Sequence, residues 1–204
     1  IINGGSISVF KSYEGIEATA ITVNDGTLSV TASDDGFNAA GGNDSSALGG
    51  RPGQNPFESD SNAKIEINGG YILVNASGDG VDSNGNIVIS KGILLVSGPT
   101  NSGNGSLDYG GNAYINGGTA VFTGSSGMAE SFSQDSKQYS VSYTLDSSQG
   151  ESTFVSITDT DGNILASFKP NKTFNHLIFS TPNLKNGGNY KITLGGSITD
   201  TDSN

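Results

Sequence analysis

The chain has 204 residues, with 31 glycines, 5 prolines, no tryptophan, no cysteine and 33% hydrophobic residues. That composition leaves little for amphipathic helices and much for frequent tight turns, so an almost all-β protein is expected. A formal charge of −11 argues against nucleic acid as a partner and favours cations, which in the absence of thiolates would be held by oxygen ligands.

Taken in chain order, one pattern recurs five times: alternating apolar residues, a two-residue turn ending in Gly, further alternation, then an acidic or amide residue before Gly. The copies open at Ile2-Asn3-Gly4-Gly5, Ile21-Thr22-Val23-Asn24-Asp25-Gly26, Ile65-Glu66-Ile67-Asn68-Gly69-Gly70, Ile87-Val88-Ile89-Ser90-Lys91-Gly92 and Ala113-Tyr114-Ile115-Asn116-Gly117-Gly118. Their turn glycines at 5, 26, 70, 92 and 118 are 21, 44, 22 and 26 residues apart. The basic period is therefore about 21–22, with one insertion, as in a solenoid. Ile65, Ile67, Ile72, Val74 and Ala76 alternate at period two, so each copy reads as short strands rather than helix. We expect residues 1–129 to form a parallel β-helix of about five coils, stacked at roughly 4.8 Å per coil. The start at Ile1-Ile2 falls inside a repeat and has no basic-then-apolar leader, so the natural N-terminus is expected upstream. No apolar run approaches membrane-spanning length, and none is expected to cross.

After its second strand each coil turns through a related corner: Glu14-Gly15-Ile16-Glu17, Asp35-Gly36-Phe37-Asn38, Asp79-Gly80-Val81-Asp82 and, more loosely, Asn104-Gly105-Ser106-Leu107-Asp108. The fifth, Ser126-Gly127-Met128-Ala129, has no acid. The glycine is expected to supply a positive φ, and the apolar residue after it to point inward. Glu14, Glu17, Asp34, Asp35, Asn38, Asp79, Asp82 and Asp108 would then share one outer column. Like charges at strand spacing repel by roughly 1 kcal/mol in water, and calcium is the expected compensating ion because it accepts six to eight irregularly placed oxygens.

Residues 40–64 interrupt the stack and should overhang this column, adding Asn43, Asp44 and Asp60 as candidate metal ligands and Arg51, the only arginine, as a contact for an anionic ligand. From residue 130 the repeat vanishes. Alternating segments at 139–145, 153–158, 164–168, 176–180 and 190–194 predict an antiparallel β segment over 130–204 that covers the last coil, with hairpins at Asp161-Gly162 and Asn186-Gly187-Gly188. His176, within one of these strands, reads as structural. Residues 1–129 hold 12 acids and 4 bases (net −8), against 8 and 5 (net −3) afterwards; the acidity belongs mainly to the repeats.

The repeat at residues 65–83, with Ser167-Phe168-Lys169-Pro170, Ser180-Thr181-Pro182-Asn183-Leu184-Lys185 and Gly187-Gly188-Asn189-Tyr190 in the tail, resembles a bacterial cell-surface carbohydrate-binding family built on a pectate-lyase-like right-handed β-helix. The resemblance spans nearly the whole chain. It implies a calcium-binding, extracellular module that attaches to cellulose and acidic, pectin-like sugars without cleaving them, the metal role falling on the corners above.

Two other readings compete. A polysaccharide lyase needs a base near the calcium, and Arg51 is the only candidate there; a structural adhesin would self-associate through open coil ends. For the binder, Tyr13, Phe10, Phe57, Tyr71 and Tyr109 are the outward aromatics available to stack on sugar rings.

Overall fold

The computed structural model describes residues 1–40 and 62–196. The described residues contain β-strands and no helix: β1 (Ile2–Ser12), β2 (Ile16–Glu17), β3 (Ala20–Ala32), β4 (Phe37–Ala39), β5 (Lys64–Ile67), β6 (Tyr71–Ala76), β7 (Val81–Ser83), β8 (Asn86–Ile89), β9 (Ile93–Ser97), β10 (Leu107–Tyr109), β11 (Ala113–Ile115), β12 (Thr119–Gly124), β13 (Ser140–Gln149), β14 (Val155–Thr158), β15 (Ile164–Phe168), β16 (Phe174–Ser180) and β17 (Lys191–Leu194).

The repeats pair in parallel and in register. Val23, Ile67, Ile89 and Ile115 stand side by side across β3, β5, β8 and β11. Ile7, Leu28, Ile72, Leu94 and Ala120 do the same across β1, β3, β6, β9 and β12. A separate four-stranded parallel sheet, β10-β7-β4-β2, stacks Ile16, Phe37, Val81 and Leu107. Period-two alternation turns these side chains toward one another, and they form the main core, almost all of it fully buried. Because β3 gives its first half to β5 and its second half to β6, the large sheet wraps nearly as a barrel.

That large sheet is mixed. β16 joins β12 antiparallel and β13 joins β16 antiparallel, which covers the edge the last repeat would otherwise leave open. β15, β14 and β17 form a third, antiparallel sheet around the Asp161-Gly162 turn, Gly162 having φ of 85°. The hairpin expected at Asn186-Gly187-Gly188 does not form: β17 pairs with β14, not with β16 before it. The third sheet lies on the outward face of the large one. Leu95 and Val121, outward by alternation, pack there with Val155, Ile157, Phe174, Leu177, Phe179 and Leu184 in a second core. The C-terminal segment thus covers a face as well as an edge.

All five turn glycines have positive φ, between 82° and 117°, as their two-residue turns require. Gly15, Gly36 and Gly80 at the acidic corners are a different case. None has positive φ; a Cβ on Gly36 would lie 2.3 Å from Val74 Cγ1 and 2.5 Å from the Gly80 carbonyl oxygen, and one on Gly80 would lie 2.3 Å from the Ser106 carbonyl oxygen. Close stacking of one corner on the next, rather than turn geometry, demands glycine there.

Candidate functional site

Stacking divides the expected acidic column into two. Hydrogen bonds from Gly15 N to Asp35 O, Gly36 N to Asp79 O and Gly80 N to Gly105 O, each 2.9–3.0 Å, put Glu14, Asp35, Asp79 and Gly105 in one row. Three residues on, Glu17, Asn38, Asp82 and Asp108 form the other. The extra residue in the fourth corner therefore sets Gly105, not Asn104, above Asp79, and the first row has no acid at that level.

The first row is tied together through the backbone. Asp35 Oδ1 accepts from the Asp79 amide at 2.6 Å, and Asp79 Oδ1 accepts from the Gly105 amide. Asn38, expected on the outside, is fully buried. Its Oδ1 accepts from Ala40 N at 2.9 Å and its Nδ2 donates to Asp35 Oδ2 at 3.4 Å, so it works as an internal brace between the rows.

Electrostatics concentrate on two side chains. Burial, followed by the charges of Asp35, Asp79, Asp108 and Glu14, pushes the Asp82 carboxyl from its ordinary 3.8 up to about 8. Burial also pushes Asp79 up to about 7, against the Gly105 amide, with Asp108, Asp34 and Glu130 adding to the rise. Such displacement marks a place where negative charge is crowded away from water. The hydrogen bond from the Tyr13 hydroxyl to Asp34, reinforced by that carboxylate's charge, raises the phenol to about 12.

One member of the cluster lies outside the repeats. Glu130 follows the fifth corner, whose own residues are free of acids; burial first and Asp108 second raise its carboxyl, and its Oε2 is buried with no hydrogen-bond partner among the described residues. Its only signal in the sequence is an acid one residue past the aligned corner.

Among the described residues the expected aromatics do not assemble. Tyr13 sits at the cluster and is exposed, whereas Tyr71 is exposed at the opposite end of β6 from the Asp79 corner. Tyr109 is half-buried against the core and donates its hydroxyl to Ser131 O at 2.7 Å, which braces it there. Asn43, Asp44, Arg51, Phe57 and Asp60 lie outside the described residues. His176 is buried between Ser142 and Thr144, whose hydroxyls meet its two ring nitrogens at 3.2 and 2.9 Å.

Among the described residues no three carboxylate or imidazole groups already stand in an arrangement that could hold a metal ion. A cleft of about 660 Å³ between the faces of β13–β16 and β14–β17 is lined mainly by aliphatic and aromatic side chains and contains none of these acids; it is not where the charge chemistry lies. No helix among the described residues is long and apolar enough to cross a membrane. Comparison with known proteins finds no matching family model, no similar curated protein and no similar solved structure.

Proposed function

We propose that residues 1–129 wind as a right-handed parallel β-helix and that the chain binds plant cell-wall polysaccharide, cellulose or acidic pectin-like polymer, through calcium and without cleaving it, at a bacterial cell surface. The in-register parallel ladders support the winding, and residues 130–204 act as its covering segment. The observation that carries the functional reading is the charge crowded at Asp79 and Asp82. Two carboxyls driven toward neutral pKa by burial and by other carboxylates are stabilised by any cation that joins them.

The donor chemistry suits a hard ion, being all oxygen and of uneven spacing. Asp82, with Asp35, Asp79 and Asp108 around it, would hold the ion once the side chains close on it. Calcium bound there would offer its remaining positions to uronate oxygens, so that a protein of net charge −11 could retain an anionic polymer.

Sedimentation with insoluble cellulose and with cross-linked polygalacturonate tests the reading, with calcium and with chelator. Calcium-dependent retention that is abolished by Asp79→Asn together with Asp82→Asn is expected. Retention untouched by chelator and by the double variant would sink the calcium bridge. A catalytic reading also has one observation in its favour, since carboxyls near pKa 7–8 are poised for proton transfer at neutral pH. Unsaturated or reducing sugar ends produced by the wild type and lost in Asp79→Asn would establish it.

A further inference from the structure

β16 and β13 close the edge of the last repeat, and in doing so they move the edge of the large sheet to β13. The second side of β13 pairs with no strand among the described residues. A free edge is a row of unpaired N–H and C=O groups, which proteins ordinarily blunt with a charge, a proline, a glycine irregularity, shortness or a covering segment. Among the described residues every other sheet edge has such a device. Ser133 N and Gln138 N donate to Ala113 O and Ile115 O and so cover β11. β1 carries Gly4, Gly5 and Lys11, β15 runs into Lys169-Pro170, and β17 opens on Lys191. β2 and β10 are two and three residues long, with an acid in each.

Residues 139–145, Tyr-Ser-Val-Ser-Tyr-Thr-Leu, have none of these devices: no charge, no proline and no glycine. Their register with β16 is unbroken from Ser140 to Thr144, and an irregularity comes only between Thr144 and Gln149. Tyr139 and Tyr143 are 53% and 47% exposed. Alternation sets Val141, Tyr143 and Leu145 on the outward face, where they border the 660 Å³ cleft. Ser142 and Thr144 lie on the other face, against His176.

We propose that this edge is an interface between two copies of the chain, β13 pairing antiparallel with β13 of the second copy about a twofold axis at Ser142. The stretch is complementary to itself under that operation, as a closed twofold contact requires. Val141 comes opposite Tyr143 of the second copy, Tyr139 opposite Leu145, Ser140 opposite Thr144, and Ser142 opposite its own equivalent. Apolar residues thus meet apolar ones on one face, and hydroxyls meet hydroxyls on the other. A slip of one residue would turn the apolar face of the second copy to the opposite side. The charges agree with this register. Asp146, the nearest, falls opposite Gln138 of the second copy, so no acid meets an acid although the chain carries a net −11. The pairing rests on this strand alone and not on the polysaccharide reading, for which its consequence is a bivalent particle.

The test is sedimentation velocity of the chain in chelator, from micromolar to submillimolar concentration, where the mass is expected to rise from 20.7 kDa to twice that value. Tyr143→Lys, at an exposed position, sets two ammonium groups diagonally across the axis and is expected to weaken association about tenfold or more. Cross-linking reads the register. The chain has no cysteine, and directly opposed Cα atoms of an antiparallel pair are about 4.5–5.5 Å apart, within the reach of a disulfide. Mild oxidation of Ser142→Cys is therefore expected to give a covalent dimer, and Ser8→Cys, on the exposed edge strand β1, is expected to give none. Thermal unfolding of each variant checks that the fold is kept. A mass of 20.7 kDa at every concentration, a dimer untouched by Tyr143→Lys, or failure of Ser142→Cys to cross-link overturns the proposal. Cross-linking of Ser8→Cys in preference to Ser142→Cys also overturns it, in favour of association through the open end of the repeats.

Discussion

Replacing Asp82 by Asn should stabilise the metal-free protein at pH 8 by several kilocalories per mole and much less at pH 5. The side chain lies between Asn38 and Asp108 in its row, so the amide occupies a place where an amide already stands one level away. The sign follows from a folded pKa of about 8 against the ordinary 3.8: the folded chain holds this proton more tightly than the unfolded one. Asp82 is therefore least harmful below pH 3.8 and becomes progressively destabilising as pH rises through 8. At about 1.4 kcal/mol per pH unit, its ionisation opposes folding by roughly 5 kcal/mol at pH 8 and by roughly 2 kcal/mol at pH 5. Asn removes that opposition, a difference between the two pH values of about 3 kcal/mol, or a melting shift of roughly 6–12 °C for a chain of this size. The assay is thermal unfolding of both proteins in chelator at pH 5 and 8. His176 and Lys172 titrate in both proteins alike, so the comparison isolates Asp82 together with the carboxylates coupled to it. Equal melting temperatures at pH 8, or a gain no larger at pH 8 than at pH 5, would refute the crowded-carboxylate argument.

Calcium should raise the melting temperature of the wild type more at pH 8 than at pH 5, since protons compete for the same oxygens, and by about 2.7 kcal/mol at a hundred times its dissociation constant. Gly80→Ala should lower stability by about 2 kcal/mol or more in urea unfolding, because its Cβ meets the Ser106 carbonyl; Gly162→Ala, with positive φ but nothing near its Cβ, should lose about 1 kcal/mol. Asn24→Ala removes both links of an amide ladder, from Asn24 Nδ2 to Asn3 Oδ1 at 2.7 Å and from Asn68 Nδ2 to Asn24 Oδ1 at 3.0 Å. A cycle with Asn68→Ala should give a coupling of about 0.5 kcal/mol or more. Burial holds the His176 imidazole below its ordinary 6.5, so its contribution is present above pH 6.5 and lost as pH falls through the folded value. His176→Gln should flatten that acid limb of the stability curve.

The sequence by itself determined what depends on neighbours along the chain. Period-two alternation and the glycines at 5, 26, 70, 92 and 118 specify strands and turns locally, and the structure carries positive φ at all five. The strands of the tail, together with the Asp161-Gly162 turn, were legible for the same reason. Tertiary structure decided everything that depends on which residue comes to rest on which. The acidic and amide positions of each corner lie three residues apart and so fall into two rows rather than one column, the extra residue of the fourth corner set Gly105 rather than Asn104 above Asp79, and Asn38 went inside. Glu130 reached the cluster from outside the repeat, and the segment 168–172 came to lie over Thr31, Asn75 and Ser97, which alternation marks only as outward. Local periodicity fixes which way a side chain faces; burial and charge crowding, which raise Asp79 and Asp82, arise only when segments dozens of residues apart are stacked within a few ångströms.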